Sequence, residues 1–203
     1  MRKFWQHLME AKAESPVVFS YGRMNPPTIG HQVLVNKVHE LANQHNAPHE
    51  VVLSHTQDGH KNPLTPDQKL AHAQKFFPDT NITTSDSNHP TLLHHAARLN
   101  QAGHDHLIMV AGSDRVPEYQ KLLNRYNGQP DNKGQTLYKF KKIDVVSAGQ
   151  RDPDAEGAEG MSASKMREHA RNGDYESFKQ GIPTHVPDKD SKKLFNDVQG
   201  GLR

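Results

Sequence analysis

Gly22-Arg23-Met24-Asn25-Pro26-Pro27-Thr28-Ile29-Gly30-His31 stands between the apolar run Val17-Val18-Phe19 and a helical pattern that begins at Val33. Strand, glycine- and proline-rich turn, then helix is the opening unit of an open parallel sheet, and its strand-to-helix turn faces the ligand crevice. The helix behind such a turn points unpaired N–H groups and its positive dipole end at whatever sits there. An anion is therefore expected at His31. Gly22 and Gly30 let the backbone approach closely, Pro26 and Pro27 stiffen the turn, and Thr28 and His31 supply a hydroxyl and an imidazole. A neutral histidine that donates one N–H, or an imidazolium that adds charge, can follow a phosphate as its charge grows.

Outward from this turn the chain alternates strands and helices. Strand 17–21 leads into helix 31–45, where Leu34, Val38, Leu41 and Ala42 form a helical stripe. Strand 50–54, helix 66–77, a short strand at 81–84, a helix at 91–101, strand 107–111, helix 116–126 and strand 143–147 follow. The repeated order predicts an α/β fold, a single Rossmann-like, doubly wound, parallel five-stranded sheet with a C-terminal helical segment. The most apolar strand, 107–111, is expected at the sheet centre. Residues 17–203 read as one domain, and 1–16 as an N-terminal helix or leader.

A second phosphate-type feature, Met161-Ser162-Ala163-Ser164-Lys165-Met166-Arg167, lies 131 positions after His31, counted to Ser162. Ser162 is placed to cap a helix running to about Asn172, and helical side chains lean toward the N-terminus. Ser164, Lys165 and Arg167 can then reach an anion at that end. A third stretch, Asn62-Pro63-Leu64-Thr65-Pro66-Asp67-Gln68, is a helix start in its own right. Thr65 caps, Pro66 takes the first helical position and Gln68 completes a capping box.

Thr28-Ile29-Gly30-His31 resembles the first signature of the nucleotidyltransferase superfamily, [His/Thr]-x-Gly-His, and 161–167 resembles its Ile-Ser-[Ser/Gly]-Thr-x-x-Arg. Within the superfamily the turn is most similar to archaeal-type nicotinamide mononucleotide (NMN) adenylyltransferases, Gly-Arg-[Phe/Met]-Gln-Pro-x-His-x-Gly-His. It departs at Asn25 and at Thr28, and threonine is usual in the phosphopantetheine branch. Asn62-Pro63-Leu64-Thr65 is similar to the NMN branch's Asn-Pro-Phe-[Thr/Ser], and 167–186 to the closing segment. The resemblance covers about 16–200.

The resemblance implies transfer of AMP from ATP to the phosphate of NMN, giving NAD and pyrophosphate. It implies that Thr28 and His31 contact the triphosphate, with His31 stabilising the α-phosphate. Ser162 and Ser164 would bind phosphate oxygens, and Arg167 would neutralise the departing pyrophosphate. Gly22, Arg23, Gly30 and Lys165 join the nucleotide site, with Lys61 a looser candidate. Asp114, in Gly112-Ser113-Asp114 after strand 107–111, is a candidate for ribose or metal contact, or a helix cap. Mg2+ is expected to bridge phosphate oxygens of ATP with water filling most of its shell, and no protein metal site is expected. The alternatives are a phosphopantetheine adenylyltransferase, a cytidylyltransferase of the same fold, or a non-catalytic nucleotide-binding virion protein. The cytidylyltransferase signature is absent before Arg167.

Composition sets the outer bounds. The chain has 203 residues, a hydrophobic fraction of 33%, a net charge of +2 and no cysteine. Its mean hydropathy is −0.88. Apolar residues nevertheless cluster into strand-like runs, which marks a globular chain with polar loops. Without cysteine there is no disulfide, thiol catalysis or cysteine-ligated metal. The charge is too small to imply nucleic-acid binding, and no run is long enough to span a membrane. A cytoplasmic protein is expected, with small-molecule nucleotide partners and a homo-oligomer left open. There is no Walker A loop and no Gly-x-Gly-x-x-Gly, which disfavours a P-loop kinase or a dinucleotide-binding dehydrogenase.

Fifteen histidines are present. Only His31 receives a role. His94-His95 and His104-Asp105-His106 are expected to be solvated, because adjacent or alternating histidines rarely converge on one metal. Met166 and the single Trp5 read as packing residues. Loop 127–136 reads as a surface connection, and the acidic, glycine-rich 148–160 as a solvated loop or a flap over the triphosphate. The first sixteen residues can form an amphipathic helix with Phe4 and Leu8 on one side. They are similar to leaders of tailed-phage proteins cut after Leu-x-Glu, here Leu8-Met9-Glu10, which implies a phage-encoded, capsid-associated protein. The competing expectation is an ordinary N-terminal helix.

Overall fold

The computed structural model describes residues 14–130, 133–149 and 161–202. Residues 1–13 of the leader, Trp5 among them, and most of the acidic loop lie outside the described residues.

The elements, in chain order, are β1 Pro16–Gly22, α1 Ile29–His45, β2 His49–Leu53, α2 Pro66–Phe76, β3 Ile82–Thr84, α3 Leu92–Gln101, β4 His106–Ala111, α4 Val116–Tyr126, β5 Lys142–Ser147, α5 Ala163–Arg171, α6 Tyr175–Lys179 and α7 Asp188–Gly201. The strands form a five-stranded sheet in the order β3-β2-β1-β4-β5. All its pairings are parallel, as in Val18 opposite His49 and Val17 opposite Leu107. The expectation that 107–111 occupies the centre is corrected. β1 holds that place and β4 stands beside it, buried at every residue. Apolarity follows cover on both faces, which any interior strand has, so it could not rank two of them.

Side chains alternate across the strands and split the interior in two. Val18, Val51, Leu53, Ile108 and Val110 face one way and pack with α1, α2 and the C-terminal helices. Val17, Phe19, Val52, Leu107 and Met109 face the other way, toward α3 and α4. The crossover side thus reverses between β1 and β4, opening a crevice at the C-terminal ends of those strands.

Local signals explain the helix limits. In α1 the buried residues Val35, Val38, Leu41 and Ala42 make one stripe, and Asn46 ends the helix at φ 47°, a left-handed geometry that asparagine tolerates. In α2 the capping box forms as the sequence predicts: Gln68 N–H donates to Thr65 Oγ1 at 3.2 Å, and Thr65 N–H to Gln68 Oε1 at 3.0 Å. α5 has nine residues, too few to be stable alone in water. Burial of Met166 and Ala170 against the other C-terminal helices holds it. α7 then clasps α5 and α2, with Gln199 Nε2 donating to Ala170 O at 3.0 Å and His72 Nε2 lying 2.7 Å from Asp197 Oδ2.

The expectation of solvated histidines fails at His95 and His106, which are buried, and His72, of which nothing was expected, is buried as well. His95 sets its ring 6.4 Å from Phe19 and 6.0 Å from Tyr21, while His106 Nε2 lies 2.8 Å from Asp144 Oδ2. A polar average does not show which histidines fall on the inner face of an element. His94, next in sequence to His95, points elsewhere and meets Thr91 Oγ1 through Nδ1 at 2.7 Å. Among the described residues no helix is long and apolar enough to cross a membrane.

Candidate anion site

α1 begins two residues before the expected His31, at Ile29, with Thr28 at the N-cap and His31 at the third helical position. Thr28 N–H donates to His31 Nδ1 at 3.0 Å, and the Thr28 hydroxyl lies 2.9 Å from the same nitrogen. A nitrogen that accepts a backbone N–H carries no proton of its own, so the neutral ring holds its proton on Nε2. Thr28 is fully buried. It sits behind the imidazole and orients it. The capping and functional readings of His31 use different ring atoms and are compatible.

The helix end is less open than the sequence suggests. Ile29 N–H donates to Gly181 O at 2.8 Å and His31 N–H to Thr28 O at 2.9 Å. Two of the first-turn donors are therefore taken inside the protein, one by the segment between α6 and α7.

The turn itself is held from below. Met24, buried, has φ 40°, a left-handed geometry uncommon for a side chain of this kind. Asn25, also buried, donates from Nδ2 to Leu64 O at 3.2 Å and accepts Leu64 N–H on Oδ1 at 3.0 Å. Gly22 O accepts Ser54 N–H at 2.8 Å. No heavy atom lies within 4 Å of where a Gly22 Cβ would stand, so internal packing does not require glycine there.

The second signature meets the first. Ser162 Oγ caps α5 by accepting Lys165 N–H at 3.2 Å. Arg167 donates from Nη1 to Asn25 O at 2.7 Å and from Nη2 to Ser164 Oγ at 3.0 Å. Burial, with Arg23 and Arg171 nearby, pulls the Arg167 guanidinium below its ordinary range against the opposing charge of Asp58. Ser164 and Lys165 are exposed at the start of α5.

Sequence reasoning missed Lys69. It lies in the first turns of α2 and is completely buried, with Nζ donating to Ser54 O and, at 3.2 Å, to Thr56 O. Burial, helped by Arg23, pulls its ammonium down to about 8. The motif reading stopped at the capping box. Helical spacing gives the missing signal, because Lys69 falls beside His72, Ala73 and Phe76 on the buried stripe of α2. Arg23, Lys69 and Arg167 thus share one electrostatic neighbourhood at the ends of β1 and β2. The carboxylate there, Asp58, is turned to its own loop: the Asn62 side chain and the N–H groups of Lys61 and His60 hold it well below the usual carboxylate range. Lys61 is exposed and only its N–H takes part.

Asp114 lies in a short 3-10 turn after β4, largely exposed, with Oδ2 3.7 Å from Arg115 Nε. It caps no helix. A Cβ at Gly112 would lie 2.9 Å from Asp114 Oδ1, a contact that the exposed carboxylate can relieve by turning away. Among the described residues no group of three or more His, Asp or Glu could hold a metal ion.

No known family matches the chain by sequence, and no curated protein does. Among solved structures, it is similar to the crystal structure of Thermotoga maritima TmcAL bound with alpha-thio ATP, form II. The TM-score is 0.56 at 13% identity, over 89% of this chain and 55% of that one. The chain spans about half the length of that protein, and the likeness is one of fold.

Proposed function

We propose that the chain is a nucleotidyltransferase that moves AMP from ATP to the phosphate of nicotinamide mononucleotide, releasing pyrophosphate. One observation carries the reading: Arg167 of the second signature bonds the Asn25 carbonyl of the first, so two helix starts and three cations meet at one strand end. An ATP-type ligand in a solved structure of similar fold, TmcAL with alpha-thio ATP, supports a nucleotide in this crevice. Gly22, with open space where a side chain would stand, leaves room for phosphate beside β1.

In this reading an acceptor phosphate oxygen attacks the α-phosphorus of ATP, a new P–O bond forms, and the bond to the β-phosphate oxygen breaks. No covalent enzyme group is needed, and catalysis is positioning plus charge stabilisation. His31 donates its Nε2 proton in a hydrogen bond to an α-phosphate oxygen as charge develops there, with Thr28 fixing the ring. Arg23 and Arg167 neutralise the leaving pyrophosphate, while Ser162 and Gly30 shape the two helix starts and Ser164 and Lys165 line the second. Lys69 adds positive potential from beneath. Mg2+ would enter with the nucleotide and neutralise phosphate charge; among the described residues no group of three or more His, Asp or Glu is placed to hold it.

The test is pyrophosphate release from ATP or CTP with magnesium, against NMN, nicotinate mononucleotide, phosphopantetheine and glycerol 3-phosphate. Release is expected with ATP and NMN. His31→Ala should lower turnover by ~10² or more. His31→Asn, which can offer its side-chain oxygen where Nδ1 stands, should keep the helix start yet remain as slow. Turnover with phosphopantetheine alone would move the assignment to that branch, the one Thr28 favours; silence across the panel would end the enzymatic reading.

A further inference from the structure

The geometry points to Asn25 as the positioning residue of the anion site, a side chain that sets where Arg167 stands without touching the ligand. The inference rests on the anion-site reading above.

Asn25 is bound on three sides. Its carboxamide makes a two-bond match with the peptide groups of Leu64, 39 positions away, and its carbonyl receives Arg167 Nη1, 142 positions away. The first turn, the Asn62–Thr65 segment and the second signature are thereby joined through one residue. The neighbouring Met24 shows why a clamp is needed: a positive φ at a residue with a Cβ costs free energy and persists only where surrounding contacts over-determine it. Burial of Met24 supplies part of that constraint and the Asn25–Leu64 pair the rest.

Arg167 has few other fixed contacts that could hold it. Among the described residues its other hydrogen bond goes to Ser164 Oγ, three residues away on the exposed start of α5, which moves with the same helix. The Asn25 carbonyl is its anchor to the opposite wall. Truncating the Asn25 side chain leaves that carbonyl in place chemically but releases it spatially, and it strands both polar groups of the Leu64 peptide in a buried setting. Glutamine, one methylene longer, keeps the amide but cannot keep the same register with Leu64 while Met24 stays buried.

A double-mutant cycle separates this role from a general contribution to stability. Inorganic tripolyphosphate is titrated calorimetrically into the full chain as wild type, Asn25→Ala, Arg167→Ala and the double variant, with urea unfolding of each. Asn25→Ala should weaken binding by about tenfold to a hundredfold in the wild-type background, as a small misplacement of a binding group does. In the Arg167→Ala background it should change binding less than about twofold, while the loss of urea midpoint is alike in both backgrounds. Equal loss of binding in the two backgrounds overturns the positioning role and leaves the anion site standing. No binding by the wild type overturns both. If Asn25→Ala does not fold, Asn25→Gln runs the same cycle, and wild-type affinity in that variant also overturns the proposal.

Discussion

At the residue scale the buried Lys69 ammonium makes a prediction that stands apart from catalysis. Burial, with a second cation near it, disfavours its charged form on folding despite two carbonyl acceptors, and its folded value of about 8 lies below the ordinary 10.5. Below pH 8 both folded and unfolded chains carry the proton and the penalty is complete. Between pH 8 and 10.5 the folded state gives up its proton first, so stability rises with pH through that window. The gain is bounded at about 3 kcal/mol by the size of the shift. Lys69→Met abolishes this dependence, and the stability difference between wild type and variant should climb from pH 8 to 10 in urea titrations. A flat difference would show that the ammonium is solvated or paired with an anion. An anion bound at Arg23 and Arg167 would raise the Lys69 value and shrink the slope, which makes the same experiment with tripolyphosphate a report on ligand. His31 is the opposite kind of residue: its place at the helix start was readable from Thr28-Ile29-Gly30-His31, but its tautomer was not, since the tautomer depends on where Thr28 N–H points.

At the element scale most of the fold was legible. Strand and helix limits fall within about two residues of the expected ones because each is marked locally, by Thr65-Pro66 at α2, Ser162 at α5 and Asn46 after α1. What was hidden is contact between elements distant in sequence: the pairing of Ile29 with Gly181, the burial of Lys69, and the order of two interior strands. Local propensity carries no trace of the first and the last, and Lys69 shows only in the helical spacing that sets it on the stripe of His72, Ala73 and Phe76. The end of α7 is another such contact. A Cβ on Gly201 would lie 2.1 Å from Pro63 O, a backbone atom that cannot swing aside. Gly201→Ala should therefore cost about 1–3 kcal/mol in urea unfolding, as overpacking does. Because Pro63 precedes the Leu64 peptide held by Asn25, the same variant should weaken tripolyphosphate binding, and unchanged affinity would show that α7 and the turn are uncoupled.

At the scale of the whole molecule, the sheet is wrapped by helices that are joined to it unevenly. α7 is tied to α2 by His72 with Asp197 and by Lys75 with Asp190. Burial raises Asp197, but hydrogen bonds from Lys193 and His72 outweigh it and leave the carboxyl below its usual range; Lys75 does the same to Asp190. Burial pushes the His72 imidazole down, against Asp197, with Lys193 and Lys75 adding to the push. These signs agree. The carboxylates contribute stability above the ordinary carboxylate range and lose it as pH falls through their depressed values, and His72 resists the proton that acid forces on it. Hydrogen exchange at decreasing pH should show α7 amides opening before those of β1 and β4; simultaneous opening would mean that the clasp is no weaker than the core. The route of the chain through the finished structure has a further consequence, for the order of events on the ribosome. Every strand has been synthesised by Ser147, yet the Ile29 N–H finds its acceptor only when Gly181 arrives, and Asn25 finds Arg167 only after α5. A nascent chain would own its scaffold well before the two helix starts could be joined, so the sheet would have to persist for a time with its first turn still unclamped.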